Sequence, residues 1–325
     1  MKDKSTKIVF FGTPEFAAPT LQALVTEGYN VVLVVTQPDE PVGRKQILTP
    51  TPIKVEAKKL GLEVCEEILS LKPCPERSRG VKTNGLKFDL GVVVAYGKII
   101  PQTILDLFPL GCLNIHPSLL PKYRGASPIQ SAILNGDQET GVTIFKLDAK
   151  MDHGERLANV VYCILDGETH GTLSKKLAQT GADLMIKTLP DYLAGKIKLE
   201  PQDDSQATYC TMVKKEDGRI DWNKSAEQIE RQIRAYAPWP GSYSEFDINN
   251  KKIKIKITFA HIYKNVGAIH ESPLPGNKPS LIGKFTVANG QLFVHCGHGA
   301  LLINKLQPEG KKELTAKEFI NGYLN

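Results

Sequence analysis

The sequence predicts a two-domain α/β protein, and three observations carry that reading. At 325 residues the chain is long for one domain and comfortable for two. Near the start, apolar runs over Lys7 to Phe11 and Val31 to Thr36 enclose a helical pattern from Glu15 to Glu27. That is the strand–helix–strand unit of a parallel sheet, so the first domain is expected to be Rossmann-like with a mostly parallel sheet. Beyond residue 206 the pattern changes to short strands separated by glycine turns, which suggests a small β-barrel of the oligonucleotide-binding kind, an OB-like domain. The polar stretch Leu199 to Ala207 reads as the join. The expected boundaries are 1–198 for the first domain, 199–206 for a linker and 207–325 for the barrel.

The turn after the first strand, Gly12-Thr13-Pro14, carries no Gly-x-Gly-x-x-Gly and no Gly-Lys-Ser/Thr, so neither a dinucleotide nor a nucleoside triphosphate is expected there. Gln37 to Pro52 holds four prolines and a glycine and is expected to be an irregular loop, long enough to be functional. Ile53 to Leu60 reads as a helix and Leu62 to Val64 as a short strand. Leu71 to Gly85 has no periodicity and is expected to be an atypical surface segment. Phe88 to Ala95 reads as a central strand, Ile99 to Leu107 as a helix, and Leu113 to His116 as the end of a buried strand. A helix over Ser127 to Asn135 precedes strands at Val142 to Asp148 and Leu157 to Ile164. Thr169 to Tyr192 is a long amphipathic helix whose expected inner face is Thr169, Leu173, Leu177, Leu184 and Leu189. In the second domain a helix over Ser225 to Ala235 leads to Pro238-Trp239-Pro240-Gly241. Strands follow at Lys252 to Ile257, Gly283 to Val287, Gln291 to Cys296 and Ala300 to Leu306, then a last helix from Thr315 to Asn321.

Composition excludes some classes. No run of about 18 apolar residues exists, so no membrane span is expected. Six cysteines show no zinc spacing, and they read as reduced thiols of a cytoplasmic protein with no metal. The net charge is +6. From Gln206 onward there are 17 Lys and Arg against 11 Asp and Glu, which leaves 24 against 24 in the remainder. The excess therefore lies in the C-terminal part, where it suits either an anionic partner or a solvated basic surface.

The chemistry-bearing stretch runs from Leu113 to Asp152. Alternation along Leu113-Asn114-Ile115-His116 points Asn114 and His116 to the same side. An amide N–H can hold a developing oxyanion. An imidazole moves protons near neutrality. A carboxylate such as Asp152 can fix an imidazole's tautomer and favour its charged form. Asn-x-His alone is a weak signal.

The whole string is specific. Asn114-Ile115-His116-Pro117-Ser118-Leu119-Leu120-Pro121 runs on through Tyr123-Arg124-Gly125, Thr140-Gly141-Val142-Thr143 and Met151-Asp152-x-Gly154. It resembles the formyltransferases that use 10-formyltetrahydrofolate. The resemblance covers about residues 7 to 190 and includes Phe11-Gly12-Thr13-Pro14-Glu15-Phe16-Ala17, Gln37-Pro38-Asp39 and Val94-Ala95-Tyr96-Gly97. A looser resemblance follows: Ile220-Asp221-Trp222, Ile233-Arg234-Ala235 with Pro238 to Gly241, and Leu306-Gln307-Pro308-Glu309-Gly310-Lys311-Lys312. The two-domain layout resembles the methionyl-tRNA formyltransferases. Sugar-nucleotide formyltransferases and 10-formyltetrahydrofolate hydrolase domains also carry a barrel and stay open as alternatives, as does a catalytically dead ligand-binding module fused to an RNA-binding barrel.

The resemblance implies a catalytic set of Asn114, His116 and Asp152. It implies a folate site along Ser118, Leu119, Leu120 and Pro121, with the pterin near the backbone of Val94, Ala95, Tyr96 and Gly97. The expected partners are a folate donor and initiator methionyl-tRNA, and a monomer is expected. The tRNA would meet Arg44 and Lys45 in the Pro41-Val42-Gly43-Arg44-Lys45 loop and the row Lys252, Lys254, Lys256 on the barrel. Arg124 would pair with a carboxylate or with the acceptor end of the RNA; the sequence leaves both open. The lysine row has a plainer reading as protection of an exposed edge strand.

Overall fold

A computed structural model describes residues 5–43, 45–71, 87–263 and 279–324. Residues 72–86, most of the aperiodic segment, lie outside it, and so does Arg44. Two compact units emerge, neither contiguous in sequence. The first comprises residues 1–128, 139–163 and 174–211, and the second 129–138, 164–173 and 212–325.

In the first unit the strands are β1 (Lys7–Gly12), β2 (Asn30–Val35), β3 (Glu40–Val42), β4 (Ile47–Thr49), β5 (Val64–Cys65), β6 (Leu90–Val94), β7 (Cys112–His116), β8 (Arg124–Gly125), β9 (Glu139–Lys146), β10 (Arg156–Cys163) and β11 (Tyr209–Cys210). The helices are α1 (Ala18–Thr26), α2 (Pro52–Lys59), α3 (Gln102–Leu105), α4 (Pro128–Asn135), of which only Pro128 belongs to this unit, and α5 (His170–Leu193), which starts in the second unit and continues in the first. The main sheet has the order β10-β9-β7-β6-β1-β2-β5. Its five strands from β5 to β7 are parallel, while β9 runs antiparallel to β7 and β10 antiparallel to β9. Continuous apolar runs suit strands covered on both faces, and Ile8, Val9, Phe10 and Phe11 are all fully buried. One face builds a core from Val9, Phe11, Leu33, Val93, Phe108 and Cys112. Each such side chain contributes about 1.5–3 kcal/mol by leaving water.

Three local readings change. The proline-rich stretch from Gln37 to Pro52 contains a hairpin, with β3 antiparallel to β4 and Pro41 opposite Leu48. A two-stranded ribbon has free edges on both sides, so a residue without an N–H is tolerated there. The expected helix at Ile99 to Leu107 shrinks to α3, because Pro101 sits at its N-cap and disfavours helical backbone before it. On α5 the buried residues include Leu173, Leu177, Met185 and Leu189, whereas Thr169 and Leu184 are half-buried. Gly181 lets this helix close onto Ile115 of β7 and Val142 of β9; a Cβ there would stand 2.7 Å from Ile115 Cγ2.

The second unit adds α6 (Ala226–Ala235) and strands β12 (Ser242–Ile248), β13 (Lys251–Ile262), β14 (Phe285–Ala288), β15 (Gln291–His295), β16 (Ala300–Pro308) and β17 (Leu314–Thr315), then α7 (Ala316–Phe319), which runs on into a wider helical turn at Ile320–Leu324. The sheet is antiparallel with order β12-β13-β16-β15-β14, and β17 pairs with β16. Among the described residues it curls into a half-barrel; the pairings do not close a ring. Register shifts at Ile257/Phe259 and Phe259/Ala260 bend β13. The helix α6 begins with a reciprocal cap between Ser225 and Gln228 and buries Ala226, Ile229 and Ile233. These meet Trp222, Phe246, Ile255, Ile257, Leu292 and Leu306 in one core.

Candidate active site

The winding of the first unit reverses at β1, which has β2 on one side and β6 on the other. In open parallel sheets, ligands bind beyond the carboxyl ends of the strands at such a point. Here those ends are Gly12, Val94 and His116. After β6 the backbone turns sharply, with Ala95 at φ +47° and Gly97 at φ +82°. Ala95 and Gly97 are exposed, whereas Tyr96 is buried with its ring edge-on to Phe11. The Tyr96 carbonyl accepts hydrogen bonds from Thr13 Oγ1 at 2.8 Å and Gln37 Nε2 at 3.0 Å. This stretch therefore offers backbone to solvent, and the tyrosine side chain serves the core. Val94 pairs with Ile115, so the turn follows directly beside His116.

Asn114 and His116 share the face of β7 that carries buried Cys112, as alternation requires. Asn114 is half-buried. His116 is 5% exposed, its ring edge-on to Phe145. Its Nε2 lies 2.9 Å from the Tyr123 carbonyl. A carbonyl only accepts, so Nε2 carries the proton. The nitrogen that can gain or lose a proton is then Nδ1, and Nδ1 stands 3.7 Å from Asp152 Oδ2. The same carboxylate oxygen accepts a hydrogen bond from the Gly125 N–H at 2.7 Å. Asp152 holds φ +48°, an unusual backbone for a residue with a side chain. The three residues expected to act together thus lie in one unit, with His116 and Asp152 in contact range.

The loop after His116 is tied down by its own hydrogen bonds and by β9. Ser118 is fully buried; its hydroxyl donates to the Lys122 carbonyl at 2.6 Å, and its own carbonyl accepts from Thr143 Oγ1 at 2.7 Å. Leu120 is 2% exposed. Those two side chains hold the loop's shape. Of the four residues assigned to the folate, Leu119 and Pro121 retain exposed surface.

Arg124 takes neither a free nor a surface position. It is 1% exposed and donates to Gln202 Oε1 at 3.1 and 2.8 Å and to Asp204 Oδ1 at 2.8 Å. The partner is a carboxylate of its own chain. That hydrogen bond, with His153 nearby, holds the Asp204 carboxyl below its ordinary range, against a smaller opposing effect of desolvation. Arg124 and Gly125 pair as β8 with β11. The polar stretch read as a linker is therefore bound to the first unit, and Gln202, Asp204, Thr208 and Tyr209 were missed as site-supporting residues. Each lies some 80 residues from its partner, and no local pattern marks it.

Lys45 is exposed in the turn that joins β3 to β4. Lys252, Lys254 and Lys256 lie on β13, with alternating Ile255 and Ile257 buried. In register, Asp247 faces Lys252, Glu245 faces Lys254 and Tyr243 faces Lys256. The Lys254 ammonium sits 3.8 Å from the centre of the Tyr243 ring. β12 pairs along all three lysines, whereas the β16 register starts at Ile255, so Lys256 lies between two strands and Lys252 keeps one side of its backbone unpaired by β16; the edge-protection reading therefore fails for Lys256 and stays open for Lys252. Among the described residues no helix is long and apolar enough to cross a membrane.

Comparison with known proteins gives the family. Residues 6–189 match the formyl transferase family, and residues 212–324 match the formyl transferase C-terminal domain. The chain is 41% identical over 317 residues to the methionyl-tRNA formyltransferase of Geobacter sulfurreducens, covering 98% of this chain and 94% of that one. It is also 41% identical over 320 residues to that of Enterococcus faecalis, covering 98% and 96%. Among solved structures, an N-formyltransferase from Helicobacter canadensis in complex with folinic acid and dTDP-3-aminofucose aligns with a TM-score of 0.65 at 18% identity, over 95% of this chain and all of that one. A sugar 3N-formyl transferase, solved with dTDP and 5-N-formyl-THF, gives 0.63 at 19%, over 94% and 99%. These two share the fold. Matched along nearly its whole length, the chain belongs to the formyl transferase family, on its methionyl-tRNA formyltransferase branch.

Proposed function

We propose that the first unit transfers a formyl group from 10-formyltetrahydrofolate to the free amine of methionine on initiator tRNA, for translation initiation, and that Asn114, His116 and Asp152 carry the chemistry. The methionine nitrogen attacks the formyl carbon; a new C–N bond forms and the bond to folate N10 breaks. The amine loses one proton and N10 gains one. A tetrahedral intermediate with an oxyanion lies between, and the Asn114 amide is the donor that holds it. His116 relays the proton through Nδ1, because Nε2 is tied to the Tyr123 carbonyl. The Asp152 carboxylate faces Nδ1 at 3.7 Å, where it stands beside the imidazolium formed between the two transfers. The donor's pterin is assigned to the exposed backbone at 95–97, and Leu119 and Pro121 supply apolar contact.

The second unit, with Lys252, Lys254 and Lys256, and the hairpin with Arg44 and Lys45 are assigned to the tRNA. The observation that carries the reading is the His116 imidazole, tied at one nitrogen and facing a carboxylate at the other, at the switch point of this family's sheet. The test offers 10-formyltetrahydrofolate with charged initiator tRNA, glycinamide ribonucleotide or an amino-sugar nucleotide. Formylation of the tRNA alone supports the proposal; preference for the sugar nucleotide rejects it.

A further inference from the structure

We propose that Gln202 is a positioning residue: its amide sets the backbone of the Asp152 loop and so holds the carboxylate against His116. This rests on the proposed pairing of Asp152 with His116. Asp152 keeps a positive φ, which is uncommon outside glycine, and contacts from outside the loop fix its peptide there. The Gln202 Nε2 donates to the Asp152 carbonyl at 3.0 Å and to the Gly154 carbonyl at 2.8 Å. Those contacts bracket the loop from both sides of His153. At the other end, Oε1 accepts two hydrogen bonds from Arg124. Two donors and two lone pairs are all an amide has, so Gln202 is fully used.

The contacts close a ring. Arg124 precedes Gly125, and the Gly125 N–H holds the Asp152 carboxylate. Gln202 thus ties the peptide of Asp152 to the neighbour of the group that holds its side chain. Around the ring, residues 200–210 are fastened at both ends. Glu200 exchanges backbone hydrogen bonds with Arg156 at 2.8 and 3.0 Å. Tyr209 and Cys210 pair with Arg124 and Gly125, where a Cβ on Gly125 would run into the Cys210 carbonyl. Between them, His153 stands 2.7 Å from Asp148 and 3.3 Å from Asp204. A chain held so many times over cannot shift without moving Asp152.

The discriminating variant is Gln202→Glu. It keeps the size and the acceptor for Arg124 but turns an acceptor-only oxygen toward two carbonyls. With folded protein quantified by circular dichroism, kcat should fall by about tenfold or more, since displacement of a reacting group by about 1 Å costs on the order of a hundredfold. KM for the folate and for the tRNA should stay near wild type. Gln202→Met, which removes the contacts without adding charge, should show the same split if the Glu variant folds poorly. In an Asp152→Asn background the Gln202 substitution should cost nothing more, because it acts through that residue. Wild-type kcat in Gln202→Glu, or losses that multiply in the double variant, would overturn the positioning role while leaving the catalytic reading intact. Wild-type turnover in Asp152→Asn alone would overturn both.

Discussion

Replacing Arg124 with Met keeps the aliphatic stem and deletes the guanidinium. The head group makes hydrogen bonds to Gln202 and Asp204 from a site 1% exposed. Hydrogen bonds to a charged group contribute about 1.5–3 kcal/mol each, and breaking a buried ion pair costs about 3–5 kcal/mol. The Asp204 side chain is 60% exposed and regains water once its partner is gone, which removes much of the second cost. The orphaned Gln202 oxygen does not regain it so readily. A loss of roughly 2–4 kcal/mol follows. At about 2–4 °C per kcal/mol for a unit of the first unit's size, its melting temperature should fall by roughly 4–16 °C. Turnover should fall with it, because Gln202 is then held from one end. Thermal melting by circular dichroism, beside formyl transfer at saturating substrates, measures both. Arg124→Lys should lie between, since a point charge keeps the Asp204 pair and loses the fork on Gln202. A wild-type melt with a raised KM for tRNA would refute the reasoning and make Arg124 a contact to the acceptor end.

Other outcomes follow from the same contacts. The Asp204 carboxyl is depressed chiefly by the Arg124 hydrogen bond, so its contribution is present above the ordinary carboxylate range and lost as pH falls through the depressed value. Asp204→Asn should therefore flatten the acid limb of a melting-temperature profile; an unchanged limb would mean that the Arg124 contact is not formed in solution. Changing Lys252, Lys254 and Lys256 to Gln should reduce the salt dependence of tRNA affinity by about two to three units, at roughly 0.7 to 0.9 per phosphate contact. An unaltered slope would move the RNA elsewhere, and aggregation of the variant would show that the lysines at the start of β13 protect the side that β16 does not pair. Burial pushes the Cys112 and Cys296 thiols up to about 12. A thiol reagent near pH 8, read by peptide mass spectrometry, should label exposed Cys163 and spare both until the protein unfolds.

What the sequence made legible was short-range and periodic. Apolar runs marked the parallel strands because both faces are covered, and strict alternation put Asn114 and His116 on one side of β7 without any knowledge of its neighbours. The nearly all-exposed hairpin β3–β4 gave no such signal, and proline content pointed the other way. The role of the β13 lysines depended on which strands flank them, a matter of pairing that alternation does not encode. The strap from Glu200 to Cys210 was invisible for the same reason. Its hydrogen bonds reach back to residues from Pro121 to Arg156, and a polar, proline-bearing stretch looks alike whether it swings freely or lies across a candidate site.

The central claim is that Asn114 and His116 act on the transferring formyl group and do not hold the folate. Single-turnover formyl transfer in Asn114→Ala and His116→Ala, with equilibrium binding of a folate measured on the same preparations, tests it most directly. The rate should fall by about a hundredfold or more in each variant while folate affinity stays near wild type. A near-normal rate in both, or a loss accounted for by weaker folate binding, would contradict it.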